Sequence, residues 1–194
     1  MIELDVRFSK DGELMVIHDQ SVDKTTNGHG LVSEKTIAEI KTFNAGKGEN
    51  ISTLQEVLTA VDKKALVNID LKDDYTGIAV AKIIEQNVLN NGWFYDMFVV
   101  SSVHESELIS FHRKLPYVSF GYIGDSSKKF LHNAEIHGAK FVSVYFDGVD
   151  ARYVQSVHKK GMIVYIWTLN NKTDIEKMKE LRVDGIISNY PDRI

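Results

Sequence analysis

Two carboxylates stand two residues apart near the start of the sequence, in the stretch IELDV. Side chains alternate along a β-strand, so Glu3 and Asp5 fall on one face, and Leu4 and Val6 fall on the other. A solvated strand face is the ordinary reading of such a pair. In a strand of a barrel, however, two acids that point inward need a positive charge, and their hard oxygen ligands favour Mg²⁺ or Ca²⁺. Glu3 and Asp5 are therefore candidate metal ligands.

A second acidic position ends the apolar run VNIDLKDD. Asp70 and Lys72 are two residues apart, so they share one face of the predicted strand. An isolated ion pair would explain them. The alternative is that Asp70 is a third metal ligand and that Lys72 binds a phosphate. Asp73 and Asp74, which follow, are assigned to a solvated loop or to the start of a helix.

Two further side chains are candidates for contact with a substrate. His18 follows the apolar run LMVI and precedes Asp19, a setting that suits a general acid or base and also a structural histidine. Trp167 ends the apolar run IVYIW, where it either packs against the apolar part of a substrate or belongs to the core.

Short β-branched runs alternate with amphipathic segments from about residue 53 onward. This pattern predicts βαβ units and a parallel sheet. The predicted strands are IELDV at the front, then ALVNIDL, FVVSS, YVSFGYI, KFVSVY, IVYIWT and DGIIS. Of the six predicted helices, one begins at Thr53, before ALVNIDL, and the other five each lie between two successive strands of the last six. Seven strands and six helices are one βα unit short of a (β/α)8 TIM barrel. An open doubly wound sheet is the rival architecture, but no glycine-rich phosphate loop favours it.

Local signals refine this α/β prediction. Residues 9–52 do not follow the βα rhythm and are predicted to be an insertion within a single domain that spans residues 1–194. The spacing S/T-x-x-E predicts helix starts at Thr36, Thr53 and Thr173. Gly138 and Gly161 lie where left-handed helix ends are expected.

Composition restricts the classes of partner. The net charge of −4 and the pI near 6.0 give no electrostatic reason to expect a nucleic acid, so a small-molecule substrate is favoured. The sequence has no cysteine, which excludes disulfides and thiolate metal sites. No apolar run approaches the roughly twenty residues needed for a transmembrane segment. A cytoplasmic location is the default, and export stays open.

Taken in order, several motifs resemble those of the glycerophosphodiester phosphodiesterase (GDPD) family. They are IELDVRFSKDGELMVIHD, DKTTNGHG, ISTLQEVL, NIDLK, VVSS, IVYIWTLN and VDGIISNYPD. The resemblance implies an enzyme of (β/α)8 fold that uses a divalent cation to hydrolyse glycerophosphodiesters to an alcohol and glycerol 3-phosphate. It implies metal ligands at Glu3 and Asp5, a phosphate-contacting lysine at Lys72 and one of two catalytic histidines at His18.

The sequence departs from the family pattern at two places. The family usually has Glu where this chain has Asp70. The family also begins with a strand ending in H-R-G and a P-E-N-T segment, and neither occurs here, so the predicted barrel lacks its first βα unit. Three explanations are open: the sequence is truncated, it belongs to a non-catalytic relative that binds or regulates, or a partner supplies the missing strand. Truncation is favoured because the other candidate residues persist. An incomplete barrel would expose the edges of IELDV and DGIIS and favour self-association.

Overall fold

A computed structural model describes all residues of the chain, 1–194. The chain divides into two compact units, residues 1–118 and residues 119–194. Each unit contains parallel β-strands that alternate with α-helices, so the predicted α/β class is confirmed.

The first unit contains four strands and four helices. In chain order they are β1 Ile2–Phe8, β2 Leu14–Val16, α1 Ile37–Ile40, α2 Leu54–Val61, β3 Val67–Leu71, α3 Thr76–Asn90, β4 Phe98–Ser102 and α4 Glu105–Lys114. Strands β1, β3 and β4 are parallel neighbours, and β2 runs antiparallel to β1. On β1 the side chains of Leu4 and Val6 are buried. Helix α3 packs along α4, and α4 contacts β4.

The second unit contains four strands and three helices. They are β5 Ser119–Gly124, α5 Lys128–Ile136, β6 Phe141–Tyr145, α6 Ala151–Lys159, β7 Ile163–Trp167, α7 Lys172–Glu180 and β8 Gly185–Ile186. The four strands are parallel and pair in chain order. Every strand and helix predicted from the βα pattern is therefore present, with boundaries shifted by a few residues.

The capping predictions are correct for two helices and wrong for one. Thr36 and Thr53 each form a capping box with the glutamate three residues later. Helix α7 instead begins after Asn171, whose side chain accepts the amide N–H of Asp174. Thr173 therefore lies inside the first turn, because an asparagine two residues earlier already caps the helix. Gly138 and Gly161 have positive φ angles of 77° and 71°, as predicted.

Residues 9–52 form a small layer with its own apolar cluster. Met15, Ile17 and Ile40 are buried in this cluster, together with Val22, Val32 and Ile51. The segment LMV, predicted only as a short apolar run, is strand β2, and its Val16 lies opposite Val6 of β1. The description of residues 9–52 as an insertion within one domain stays a prediction.

The pairing of β1 with β2 corrects one expectation about exposed edges. The whole IELDV edge was expected to be free, but β2 pairs with β1 from Val6 to Phe8, so only the N-terminal half of β1 lacks a strand on that side. Strand β2 pairs with β1 because the apolar run after the KDGE turn is long enough to fold back as a hairpin. In the second unit, β8 pairs with β7.

Candidate active site

Three carboxylates meet on one face of the paired strands β1 and β3. Asp5 lies directly opposite Asp70 in the parallel register, and Glu3 precedes Asp5 by one full strand repeat. One ligand oxygen from each of the three residues lies within 4.8 Å of the others. Asp70 is only 2% exposed, and Glu3 and Asp5 are half-buried. Strand alternation and register together thus bring the three predicted metal ligands to one place.

Lys72 is the one cation that the structure places among these acids. Its ammonium Nζ lies 3.1 Å from Oδ1 of Asp5 and also pairs with Oδ2 of Asp70. Burial opposes the charge on Lys72, but the carboxylates of Asp70 and Asp5 outweigh burial and raise the pKa of the lysine. The lysine therefore stays protonated beside the carboxylates.

One lysine does not balance the charge of three carboxylates, and the pKa values of Glu3 and Asp70 are raised. Burial, reinforced by the charges of Asp5 and Asp70 and opposed by Lys72, raises the pKa of Glu3 to about 8. Burial also raises the pKa of Asp70, although the ion pair with Lys72 opposes this change. Without a further positive charge, Glu3 therefore holds a proton at neutral pH.

The donor set fits a divalent cation. All three ligands are hard carboxylate oxygens, which Mg²⁺ and Ca²⁺ prefer. The Oδ1 atom of Asp70 is buried and has no hydrogen-bond partner, an arrangement that is costly unless a ligand occupies that side of the carboxylate. Glu3, Asp5 and Asp70 are accordingly the residues that can hold a metal ion.

His18 lies just beyond β2, and its backbone is tied to the acidic strand. The amide N–H of Ile17 donates to the carbonyl oxygen of Asp5 over 3.0 Å. The His18 ring is exposed, and its Nδ1 lies 2.7 Å from Oδ1 of Asp19. The hydrogen bond with His18 is the main cause that lowers the pKa of Asp19. The structure shows no contact between the His18 ring and the three carboxylates.

A pair of charged residues beside His18 was not predicted from the sequence. Arg7, which follows Asp5 by two residues on the same face of β1, pairs with the carboxylate of Asp73. Asp73 was assigned to a solvated loop or helix start, but its second oxygen accepts the amide N–H of Phe8 over 3.0 Å. The alternation E-x-D-x-R was the available signal for Arg7. Arg7 and His18 line an open depression of about 510 Å³.

Two uncharged polar side chains also extend the acidic face and were not predicted. Asn68 lies opposite Glu3, and Ser101 of β4 lies opposite Asp70. Both are buried, and the Ser101 hydroxyl donates to Oδ1 of Asn68 over 3.1 Å. The alternation N-x-D-x-K was the available signal for Asn68, whereas the place of Ser101 depends on how β4 pairs with β3.

Trp167 lies at the end of β7 in the second unit. Its ring is half-buried and lies edge-on to the ring of Tyr145, with 5.5 Å between the centroids. Its indole Nε1 is buried without a hydrogen-bond partner. The predicted contact of Trp167 with a substrate stays a prediction.

Parallel strands that alternate with helices and carry three carboxylates beside a lysine are the arrangement expected of an enzyme that acts on phosphate esters. The comparisons support this class. The sequence model of the glycerophosphoryl diester phosphodiesterase family matches residues 1–193, and the chain belongs to this family. It is thus a phosphoric diester hydrolase by family.

Individual relatives agree with the family match. The glycerophosphodiester phosphodiesterase of Caldanaerobacter subterraneus subsp. tengcongensis is 34% identical over 205 residues, which cover 100% of this chain and 83% of the relative. The glycerophosphodiester phosphodiesterase of Bacillus altitudinis is 31% identical, with 99% and 83% covered. A solved phosphodiesterase from Oleispira antarctica, in complex with its product sn-glycerol-3-phosphate, superposes with a TM-score of 0.89 at 25% identity, covering 99% of this chain and 82% of that one.

The helices add one further finding. None of them combines the length and the apolar character that crossing a bilayer requires.

The raised pKa of Glu3 predicts how stability depends on pH when no divalent cation is present. Because the folded pKa of about 8 exceeds the ordinary value of 4.5, the folded chain keeps a proton that the unfolded chain has lost. The contribution of Glu3 to the free energy of unfolding is therefore fully present below about pH 4.5 and is lost as the pH rises through about 8. In EDTA, we expect the free energy of unfolding to fall by about 1–2 kcal/mol between pH 6 and pH 8, as measured by urea denaturation.

Glu3→Gln should remove most of this dependence, because glutamine resembles the protonated acid. Glu13→Gln, which changes an exposed glutamate, is the matched control and should keep the slope of the parent. A Glu3→Gln variant with the same slope as the parent would show that Glu3 does not hold the extra proton.

Proposed function

We propose that the chain hydrolyses glycerophosphodiesters to an alcohol and glycerol 3-phosphate with the help of Mg²⁺ or Ca²⁺. The observation that carries this proposal is the cluster of Glu3, Asp5 and Asp70 around Lys72, in a chain that belongs to the phosphodiesterase family. The names of the relatives support the substrate class, and so does the product bound to the Oleispira antarctica enzyme.

In this proposal the three carboxylates hold the cation. A bound divalent cation supplies Lewis-acid stabilisation of phosphoryl oxygens and of the attacking water. Lys72 adds a positive charge beside the carboxylates of Asp5 and Asp70. Its ammonium group would bind the negatively charged oxygens of a phosphodiester. Asp70 is shorter than the usual glutamate by one methylene, but it lies directly opposite Asp5, and its ligand oxygen lies within 4.8 Å of those of Glu3 and Asp5.

His18 is proposed as a proton-transfer group. Hydrolysis forms a bond between a water oxygen and phosphorus and breaks the bond between phosphorus and the alcohol oxygen. The water must lose a proton, and the departing alcohol oxygen must gain one. Asp19 holds Nδ1 of His18, which leaves Nε2 of the exposed ring to exchange a proton with one of these oxygens.

Trp167 is proposed to contact the apolar part of the alcohol moiety. Its half-buried ring at the carboxyl end of β7 lies at the position where enzymes of this fold place substrate contacts.

Turnover tests the proposal directly. The chain is incubated with glycerophosphocholine and Mg²⁺ or Ca²⁺, and released glycerol 3-phosphate is measured with a coupled dehydrogenase. We expect turnover that EDTA abolishes and that His18→Ala lowers by about 10²-fold or more, because a general acid or base contributes about that much. His29→Ala is the matched control, since His29 is exposed and pairs only with the exposed Asp23, and it should keep full activity.

Other outcomes distinguish the alternatives. Saturable binding of glycerophosphocholine without turnover would contradict the enzyme proposal and support a non-catalytic binding or regulatory domain. Faster turnover of a lysophospholipid than of glycerophosphocholine would assign a different phosphodiester to the site.

We further propose that copies of the chain associate through the free half of β1. Residues Ile2 to Leu4 pair with β3 on one side only, and Ile2 is 42% exposed. An unpaired strand edge with an exposed apolar side chain favours pairing with another chain. Sedimentation velocity at micromolar concentrations should therefore show a mass above that of the monomer.

Ile2→Lys should shift the sedimenting species towards the monomer, because a lysine on an edge strand opposes pairing. Ile136→Lys changes an isoleucine on helix α5 that is 60% exposed, away from any strand edge, and is the matched control. A monomeric mass for the parent chain, or an equal effect of both variants, would rule out association through this edge.

A further inference from the structure

Arg7 makes two different hydrogen bonds from one planar group. Its Nε donates to the backbone carbonyl oxygen of His18 over 2.7 Å, and its Nη1 donates to the carboxylate of Asp73. The side chain of Arg7 is only 11% exposed. A guanidinium can make both bonds because its donors point in different fixed directions, whereas an ammonium offers a single donor atom.

Asp73 holds Arg7 in this orientation. Asp73 follows Lys72 in the loop after β3, and its second carboxylate oxygen accepts the amide N–H of Phe8 on β1. The carboxylate therefore bridges the end of β3 to the end of β1. Arg7 extends this bridge to the segment that carries His18, so three segments of the first unit meet at one side chain.

His18 has few other restraints. Its ring is exposed and bonds only to the neighbouring Asp19. The hydrogen bond from Ile17 to Asp5 fixes the residue before it, and Arg7 fixes the peptide group after it. The Arg7 bond is the charged one of the two, and hydrogen bonds from a charged donor are the stronger kind.

The geometry points to Arg7, held by Asp73, as the positioning residue that sets the direction of His18. This inference rests on the proposed catalytic role of His18. A proton-transfer group must lie within hydrogen-bond reach of the reacting oxygen, and a displacement of about 1 Å can lower a rate by about 10²-fold. Arg7 acts through the backbone of His18 and need not touch the substrate.

The test is Arg7→Lys, which keeps the positive charge for Asp73 and removes the Nε donor. The carbonyl ¹³C chemical shift of His18, measured by triple-resonance NMR, reports directly on the lost hydrogen bond. We expect this resonance to move upfield, kcat to fall by about 10-fold or more, and KM to stay within about twofold. Arg152→Lys, which changes an exposed arginine on α6, is the matched control and should change none of these quantities.

A double-mutant cycle separates positioning from a general structural effect. In a His18→Ala background, Arg7→Lys should lower kcat no further, because the group that it positions is gone. An equal loss of kcat in both backgrounds would overturn the inference. So would an unchanged carbonyl resonance of His18 in Arg7→Lys.

Two further results keep the outcome decisive. Should Arg7→Lys fail to fold, Asp73→Asn takes its place, because the asparagine oxygen can still accept the amide N–H of Phe8 while the ion pair is lost. Should the parent chain show no turnover, the proposed function fails. The carbonyl shift and the ¹⁵N relaxation of His18 then decide alone whether Arg7 fixes this residue.

Discussion

The structure of the first unit depends on how an excess of negative charge is held at the β1–β3 contact. Asp5 and Asp70 lie opposite each other, Glu3 lies one repeat away, and only Lys72 opposes their charge. Burying like charges together is unfavourable unless protons or a cation neutralise them. The imbalance raises the pKa of Glu3, and a divalent cation among the three carboxylates would remove it. A purely structural ion pair would need one acid for one lysine.

The surrounding fold holds this contact in register. The opposite side of β1 buries Leu4 and Val6, so a slip of one residue would bury the acids in the core and expose the apolar side chains. Strand β2 pairs with the end of β1, and its apolar cluster keeps residues 9–52 folded against it. This hairpin places His18 one residue after the hydrogen bond to Asp5, so the same strand that provides two carboxylates also positions the histidine.

Much of this arrangement was predictable from the sequence because it follows from periodicity. The alternation in IELDV places Glu3 and Asp5 on one face, and the βα rhythm predicts every strand of the second unit. Register was not predictable, so the hydrogen bond between Asn68 and Ser101 was missed. Asp73 was assigned to solvent because a loop acid is usually exposed, whereas its partner Arg7 is distant in sequence and near only after β1 and β3 pair.

Local signals failed where two of them competed. Thr173 has the right spacing to a glutamate, yet Asn171 caps α7, since asparagine is at least as good a cap and comes first. The run LMV is too short for periodicity to distinguish a strand from a loop, and only pairing with β1 makes it β2. In each case a tertiary or competing contact decided the outcome.

Isothermal titration calorimetry with Mg²⁺ and with Ca²⁺ measures whether Glu3, Asp5 and Asp70 hold one divalent cation. At about pH 8, we expect one bound cation per chain. The affinity should be at least about 10-fold weaker for Asp70→Asn and largely retained for Asp70→Glu, because only the first change removes a charged oxygen ligand. Absence of binding in the parent chain, or equal affinity in Asp70→Asn, would show that these carboxylates do not form a metal site.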